Sequence, residues 1–145
     1  MKTIHILLVE DNEGDILLTT EALADSKIIN IVSVVKDGKE AIDFLNQKEP
    51  FQDVVLPNLI LLDINLPKKN GHEVLKYIKE SKEFRHIPII MLTTSSSEKD
   101  IVDAYNHYVN CFITKPVDVN EFINAVTKIE DFWISIVQLP LQIIS

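Results

Sequence analysis

The sequence predicts an α/β domain built on a doubly wound, five-stranded parallel sheet with the strand order 2-1-3-4-5. Five short apolar runs, each bounded by polar residues, alternate with segments of helical periodicity. Strands joined through helix-length connections favour parallel pairing, with the helices covering both faces of the sheet. The strands are predicted at 3–9, 30–35, 58–63, 87–93 and 111–114, and the helices at 14–25, 38–47, 72–82, 98–108 and 118–137.

Each element has a local justification along the chain. The third strand is the most apolar, which places it beside the first strand near the centre of the sheet. Turn and N-cap residues precede several helices, as in Asp37-Gly38, Asn70-Gly71, and Ser97 with Asp100 three residues on. The later helices carry apolar stripes that can face the sheet. These stripes are Val74, Leu75 and Ile78; Ile101, Tyr105 and Tyr108; and Phe122, Val126 and Ile129.

Composition narrows the class of protein. A chain of 145 residues fits one domain, with a core expected at about 4–130 and a helical extension and tail at about 131–145. The net charge of −8 argues against nucleic-acid binding and favours protein partners. No segment has the roughly 20 apolar residues of a membrane helix, the start lacks a signal cleavage site, and Cys111 is the single cysteine. A cytoplasmic location is expected.

Reactive side chains follow four of the predicted strands. Glu10 and Asp11 end the first strand, Asp63 the third, Thr93 the fourth, and Lys115 follows the fifth. The carboxyl ends of parallel strands share one edge of the sheet, so these groups should meet there. Two like charges at about 4 Å repel by on the order of 4 kcal/mol at an effective dielectric of 20, so the acids need a cation. Hard carboxylate oxygens favour Mg²⁺ over Zn²⁺.

Asp63 is the central candidate for a nucleophile at this edge. A carboxylate can accept a phosphoryl group as an acyl phosphate. Mg²⁺ and the Lys115 ammonium would neutralise charge on the transferring group, and the Thr93 hydroxyl could donate to its oxygens. The bond before Pro116 is a candidate for the cis form, which would fix the direction of Lys115.

Four ordered motifs resemble those of the receiver domains of two-component response regulators, over residues 4 to about 130. The motifs are Val9-Glu10-Asp11-Asn12; Leu61-Leu62-Asp63-Ile64-Asn65-Leu66-Pro67 with Gly71 beyond; Leu92-Thr93-Thr94-Ser95; and Thr114-Lys115-Pro116. The resemblance implies the flavodoxin-like or CheY-like fold and a phosphorelay switch rather than a turnover enzyme.

The resemblance also implies a role for each site residue. Asp63 would take phosphate from a histidine kinase. Asp11, Asp63 and the backbone carbonyl of Asn65 would bind Mg²⁺, with Glu10 acting through water. Thr93 and Lys115 would hold the phosphoryl oxygens. The switch aromatic of the family falls on Phe112, which has no hydroxyl. A change in the burial of its ring would therefore have to signal whether the protein is phosphorylated.

The sequence is most similar to the single-domain regulators paired with phytochrome-type kinases. That similarity lies in 10–15, 66–71, 92–95 and 130–133. Three alternatives stand beside it. A haloacid-dehalogenase-type phosphatase would need a second acid where Asn65 stands. A flavodoxin-like FMN protein would need a phosphate loop where the acidic 10–13 segment lies. A phosphorylation-independent pseudo-receiver would be expected to lack some of the acids or the lysine.

The C-terminal helix carries an apolar stripe that outruns the sheet. Its members recur at spacings of four and three. They are Phe122, Val126, Ile129, Trp133 and Ile136. A helix over 118–137 would be about 30 Å long, whereas a strand of five or six residues spans about 17–20 Å. Trp133, Ile136 and Val137 therefore need another cover, and a homodimer through this region is predicted.

Overall fold

The computed structural model of the chain describes residues 3–26, 28–94 and 111–128. The strands are β1 (Ile4–Val9), β2 (Asn30–Val35), β3 (Leu59–Asp63), β4 (Ile89–Thr93) and β5 (Cys111–Thr114). The helices are α1 (Glu13–Asp25), α2 (Gly38–Leu45), α3 (Gly71–Glu80) and α4 (Val119–Lys128). The predicted helix at 98–108, the Ser97 cap, and Ile129 with the rest of the C-terminal stripe lie outside the described residues.

All five strands are parallel and lie in the order β2-β1-β3-β4-β5, which confirms the predicted sheet. β3 is buried along its whole length, as its apolar sequence predicts. β4 begins at Ile89 rather than 87, because the amide of Ile87 bonds to Phe84 in a turn before the strand. Within the described residues, no helix is both long enough and apolar enough to cross a bilayer.

Side chains alternate between the two faces of the sheet and build one apolar cluster on each face. Ile6 and Leu8 of β1 belong to one cluster with Phe122 and Val126 of α4. The opposite cluster contains Leu7 of β1 together with three fully buried residues of α3. Those three are Val74, Leu75 and Ile78, the stripe predicted from the sequence.

Polar caps fix where the first three helices begin. The side chain of Asn12 accepts from the amide of Asp15 at 2.9 Å, and Asp37 accepts from Glu40 at 2.7 Å. Asn70 and Glu73 form a reciprocal capping box at the start of α3. The predicted caps at Asp37 and Asn70 are confirmed, and the helix starts leave a three-residue connection after β1 and a seven-residue connection, 64–70, after β3.

Candidate phosphoacceptor and metal site

The carboxyl ends of the central strands bring the predicted reactive groups together. β1 pairs with β3 and β3 with β4, and Asp63 stands opposite Leu92 in the register. Thr93 lies one residue further along β4, opposite Thr114 of β5. Glu10 is fully buried, and Asp63 and Thr93 are only 3% and 4% exposed. The sheet therefore holds two buried carboxylates and a buried hydroxyl at one edge.

Three carboxylates converge closely enough to share a cation. One oxygen from each of Glu10, Asp11 and Asp63 lies within 4.8 Å of the others. Glu10 and Asp63 are buried, whereas Asp11 is exposed. An all-oxygen donor set that is open to water on one side fits a hard divalent cation such as Mg²⁺ or Mn²⁺, which retains several waters.

Lys115 closes the site from the end of β5. Its ammonium donates to Glu10 at 2.8 Å and to Asp15 at 2.9 Å, and it lies 3.4 Å from Asp63 Oδ1. The side chain is only 7% exposed. Its backbone amide donates to the carbonyl of Thr93, and the Lys115–Pro116 bond is cis, as the sequence suggested.

The charge of Lys115 is stabilised by its neighbours. Burial disfavours the ammonium, but the hydrogen bonds to Glu10 and Asp15, together with the charges of Asp63 and Glu10, raise the pKa of Lys115 above its ordinary value. Lys115 therefore supplies a permanent positive charge at any physiological pH. One ammonium faces three carboxylates, so the site retains an excess of negative charge.

This excess of negative charge destabilises the ionised form of Asp63. Burial, and then the charge of Glu10, raise the pKa of Asp63 from 3.8 to about 7, although Lys115 and the amide of Asn65 favour the ionised form. The Asn65 amide lies 3.4 Å from Asp63 Oδ1. Asp63 is thus a carboxylate whose ionised form needs additional positive charge, and a bound divalent cation would supply it.

The backbone at Asp63 is held by close contact with α3. A Cβ at Gly71 would overlap the carbonyl oxygen of Asp63 and lie 2.7 Å from Cα of Ile64. The amide of Gly71 donates to the carbonyl of Ile64 at 2.8 Å. Only glycine lets the helix start this near to the strand end, so Gly71 fixes the position of Asp63.

The site residues predicted from the sequence lie at or beside this edge, except Phe112, which lies further back in β5, opposite Met91. Asn65 is exposed at the start of the loop after β3, and Phe112 is half-buried in β5 against the cluster that contains Met91. Asp15, which contacts Lys115, was not assigned a role from the sequence. Its position as an acidic residue in the first turn of α1, which begins four residues after β1 ends, is the signal that could have found it.

The fold and this site define a receiver, and comparison with known proteins agrees. The model of the response regulator receiver domain family matches residues 6–127, and the chain belongs to that family.

Three relatives have closely similar sequences. Response regulator Rcp1 of Synechocystis sp. is 43% identical over 93% of this chain and 92% of its own length, and its Mn²⁺-bound crystal structure matches with a TM-score of 0.75. The phosphorylated cyanobacterial phytochrome response regulator RcpA is 45% identical, with a TM-score of 0.77 over 92% of this chain and 95% of that one. The bacteriophytochrome response regulator RtBRR is 44% identical, with a TM-score of 0.82 over 90% of this chain and 80% of that one.

Proposed function

We propose that this receiver is a phosphorylation switch in which Asp63 accepts a phosphoryl group from a histidine kinase with the help of Mg²⁺. The observation that carries the proposal is a buried acceptor carboxylate that lies between a lysine ammonium and two further carboxylates able to help hold a metal ion. Lys115 lies 3.4 Å from Asp63, and the oxygens of Glu10, Asp11 and Asp63 lie within 4.8 Å of one another.

In the transfer step, an oxygen of Asp63 forms a bond to phosphorus while the bond between phosphorus and the kinase histidine breaks. Asp63 and Asp11 would hold the metal with the carbonyl of Asn65, and Glu10 would act through water. When bound, Mg²⁺ supplies charge neutralisation at the phosphoryl oxygens. Lys115 pairs with Asp63 before transfer and is near enough to pair with the phosphoryl group afterwards. The Thr93 hydroxyl would donate to a phosphoryl oxygen.

The proposed kinase is of the phytochrome type. RcpA and RtBRR, each about 45% identical to this chain, are described as a phytochrome and a bacteriophytochrome response regulator. The similarity covers 92% of this chain for RcpA and 90% for RtBRR, so it extends well beyond the site motifs. A phytochrome-type kinase should transfer its phosphoryl group to this receiver faster than an unrelated kinase does.

The proposed output is a change in protein contacts. Thr93 and Phe112 occupy diagonal positions across the β4–β5 pairing, two residues apart in register, since Phe112 lies opposite Met91 and Thr93 opposite Thr114. Movement of Thr93 toward a phosphoryl group would alter the packing of the half-buried Phe112 ring.

A homodimer through Trp133, Ile136 and Val137, outside the described residues, is part of this proposal. Sedimentation of wild type and Trp133→Ala tests it, since identical monomer profiles would contradict it.

Acetyl phosphate with Mg²⁺, read by intact mass, tests the acceptor. Wild type should gain one phosphoryl group, and Asp63→Asn should gain none. Asp53→Asn, which changes an exposed carboxylate in the loop before β3, is the matched control and should behave as wild type. A phosphoryl group that survives in Asp63→Asn would contradict the proposal.

A further inference from the structure

The loop that follows Asp63 is held in place by contacts from Asp37 and Gly38 at the start of α2, which together are called the brace. Gly38 begins that helix, and its amide donates to the carbonyl of Pro67 at 3.4 Å. The Lys68 ammonium lies 3.4 Å from the carboxylate of Asp37, whose other oxygen caps α2. Both contacts reach the middle of 64–70, the connection between β3 and α3.

Gly38 approaches the loop so closely that no side chain fits between them. A Cβ at Gly38 would overlap the carbonyl oxygen of Lys69 and lie 2.8 Å from its carbonyl carbon. The obstacle is backbone rather than a flexible side chain, so it cannot turn away. Among the described residues, no glycine has a positive φ, and the requirement at Gly38 is therefore one of space.

The backbone at Lys68 is consistent with a loop that is held from outside. Lys68 has a φ of 66°, in the left-handed region that non-glycine residues rarely adopt. Such conformations persist where the surrounding structure over-determines them, and they cluster at functional sites. Gly38 contacts Pro67 and Lys69, on either side of this residue, and Asp37 pairs with the Lys68 ammonium itself.

We propose that Asp37 and Gly38 are positioning residues for the metal and phosphoryl site, and that they act through 64–70. The inference rests on the proposed function. The loop starts at Asp63, carries Asn65 two residues later, and is closed by the bond from Gly71 to Ile64. The brace on 67–69 leaves the Asn65 backbone little freedom relative to Asp63. Loosening the brace should therefore weaken Mg²⁺ binding without removing any ligand.

Two variants separate this role from a general effect on folding. Gly38→Ala forces the Lys69 carbonyl away, and Asp37→Ala removes the partner of Lys68 together with the cap of α2. The matched controls are Gly14→Ala, whose Cβ would approach only the side chain of Asn12, at 3.3 Å, and Asp118→Ala. Asp118 caps α4 through the amide of Glu121 at 2.8 Å, so its loss costs the same kind of hydrogen bond away from 64–70.

The experiment is a Mg²⁺ titration followed by amide NMR, with thermal unfolding measured in parallel. Gly38→Ala should raise the Kd for Mg²⁺ by about tenfold or more, as loss of an outer-shell support does. Asp37→Ala should raise it by about two- to fivefold, the range for an exposed ion pair. Both should shift the Lys69 amide before metal is added. The controls should keep the wild-type Kd even where their Tm falls.

The possible outcomes distinguish failure of the positioning role of Asp37 and Gly38 from failure of the proposed function. An Asp37→Ala protein with the wild-type Kd and an unmoved Lys69 amide would overturn the positioning role, even if Gly38→Ala failed to fold. Controls that raise the Kd as much as the two variants would also overturn it. If wild type itself neither bound Mg²⁺ nor gained a phosphoryl group, the proposed function would fail instead.

Discussion

Replacing Asp63 by asparagine should stabilise the metal-free protein, because burial and the charge of Glu10 destabilise the ionised form of the acceptor carboxylate. The variant keeps the shape of the side chain and removes its charge beside Glu10. In the folded protein the pKa of Asp63 is raised from 3.8 to about 7 by burial and by Glu10. The ionised form is therefore disfavoured by folding, and the neutral asparagine avoids that cost.

The magnitude follows from proton linkage. Below pH 3.8 the carboxyl is protonated in both states and costs nothing. Between 3.8 and 7 the unfolded chain ionises first, so the free energy of unfolding falls by about 1.4 kcal/mol per pH unit. Above pH 7 the penalty is complete, at about 4 kcal/mol. Some contacts to Lys115 and Asn65 change in the variant, so a gain of about 2–4 kcal/mol is expected at pH 8.

Urea unfolding at pH 5 and pH 8, in EDTA and in Mg²⁺, measures this effect. In EDTA the advantage of Asp63→Asn over wild type should grow from pH 5 to pH 8 by about 2–3 kcal/mol. Mg²⁺ at 100 times its Kd should return about 2.7 kcal/mol to wild type and much less to the variant. Asp53→Asn should match wild type throughout. An Asp63→Asn protein no more stable than wild type at pH 8 in EDTA would refute the reasoning.

Three further predictions follow from the same site. The Kd of wild type for Mg²⁺ should fall as pH rises from 6 to 8, because the cation competes with a proton on Asp63; a pH-independent Kd from calorimetry would count against this. Without metal, Lys115→Ala should lose about 3–5 kcal/mol of unfolding free energy in urea titrations, because the buried carboxylates lose the Lys115 ammonium. Mg²⁺ should restore part of this loss. Gly71→Ala should slow phosphorylation by acetyl phosphate, since its Cβ would displace the Asp63 carbonyl, whereas Gly14→Ala should keep the wild-type rate.

The sheet could be predicted from the sequence because its signals are local. The run at 59–62 is apolar at every position, and such a strand is buried on both faces of a parallel sheet. The prediction that 87 begins β4 was wrong, because the same apolar pattern continues through a turn. Hydrophobicity alone does not distinguish Ile87, buried at the end of that turn, from Ile89 in the strand.

The sequence predicted most residues of the acidic site, but it did not predict which of them form hydrogen bonds or ion pairs with one another. Glu10, Asp63, Thr93 and Lys115 each end or follow a strand, so topology alone places them at one edge. Lys115 bonds to Asp15 as well as to Glu10, both within 2.9 Å, and the bond to Asp15 depends on how α1 leaves β1, which the sequence does not specify. The close approach of Gly38 to Lys69 could not be predicted either, since it joins the first residue of α2 to a loop residue 31 positions later.

The most direct test of the central claim is chemical localisation of the phosphoryl group. The protein would be treated with acetyl phosphate and Mg²⁺, reduced with borohydride, which converts an acyl phosphate of aspartate to homoserine, and sequenced by mass spectrometry. The account predicts homoserine at position 63 alone, and only when Mg²⁺ is present. Homoserine at Asp11 or Asp15, or none anywhere in wild type, would contradict it.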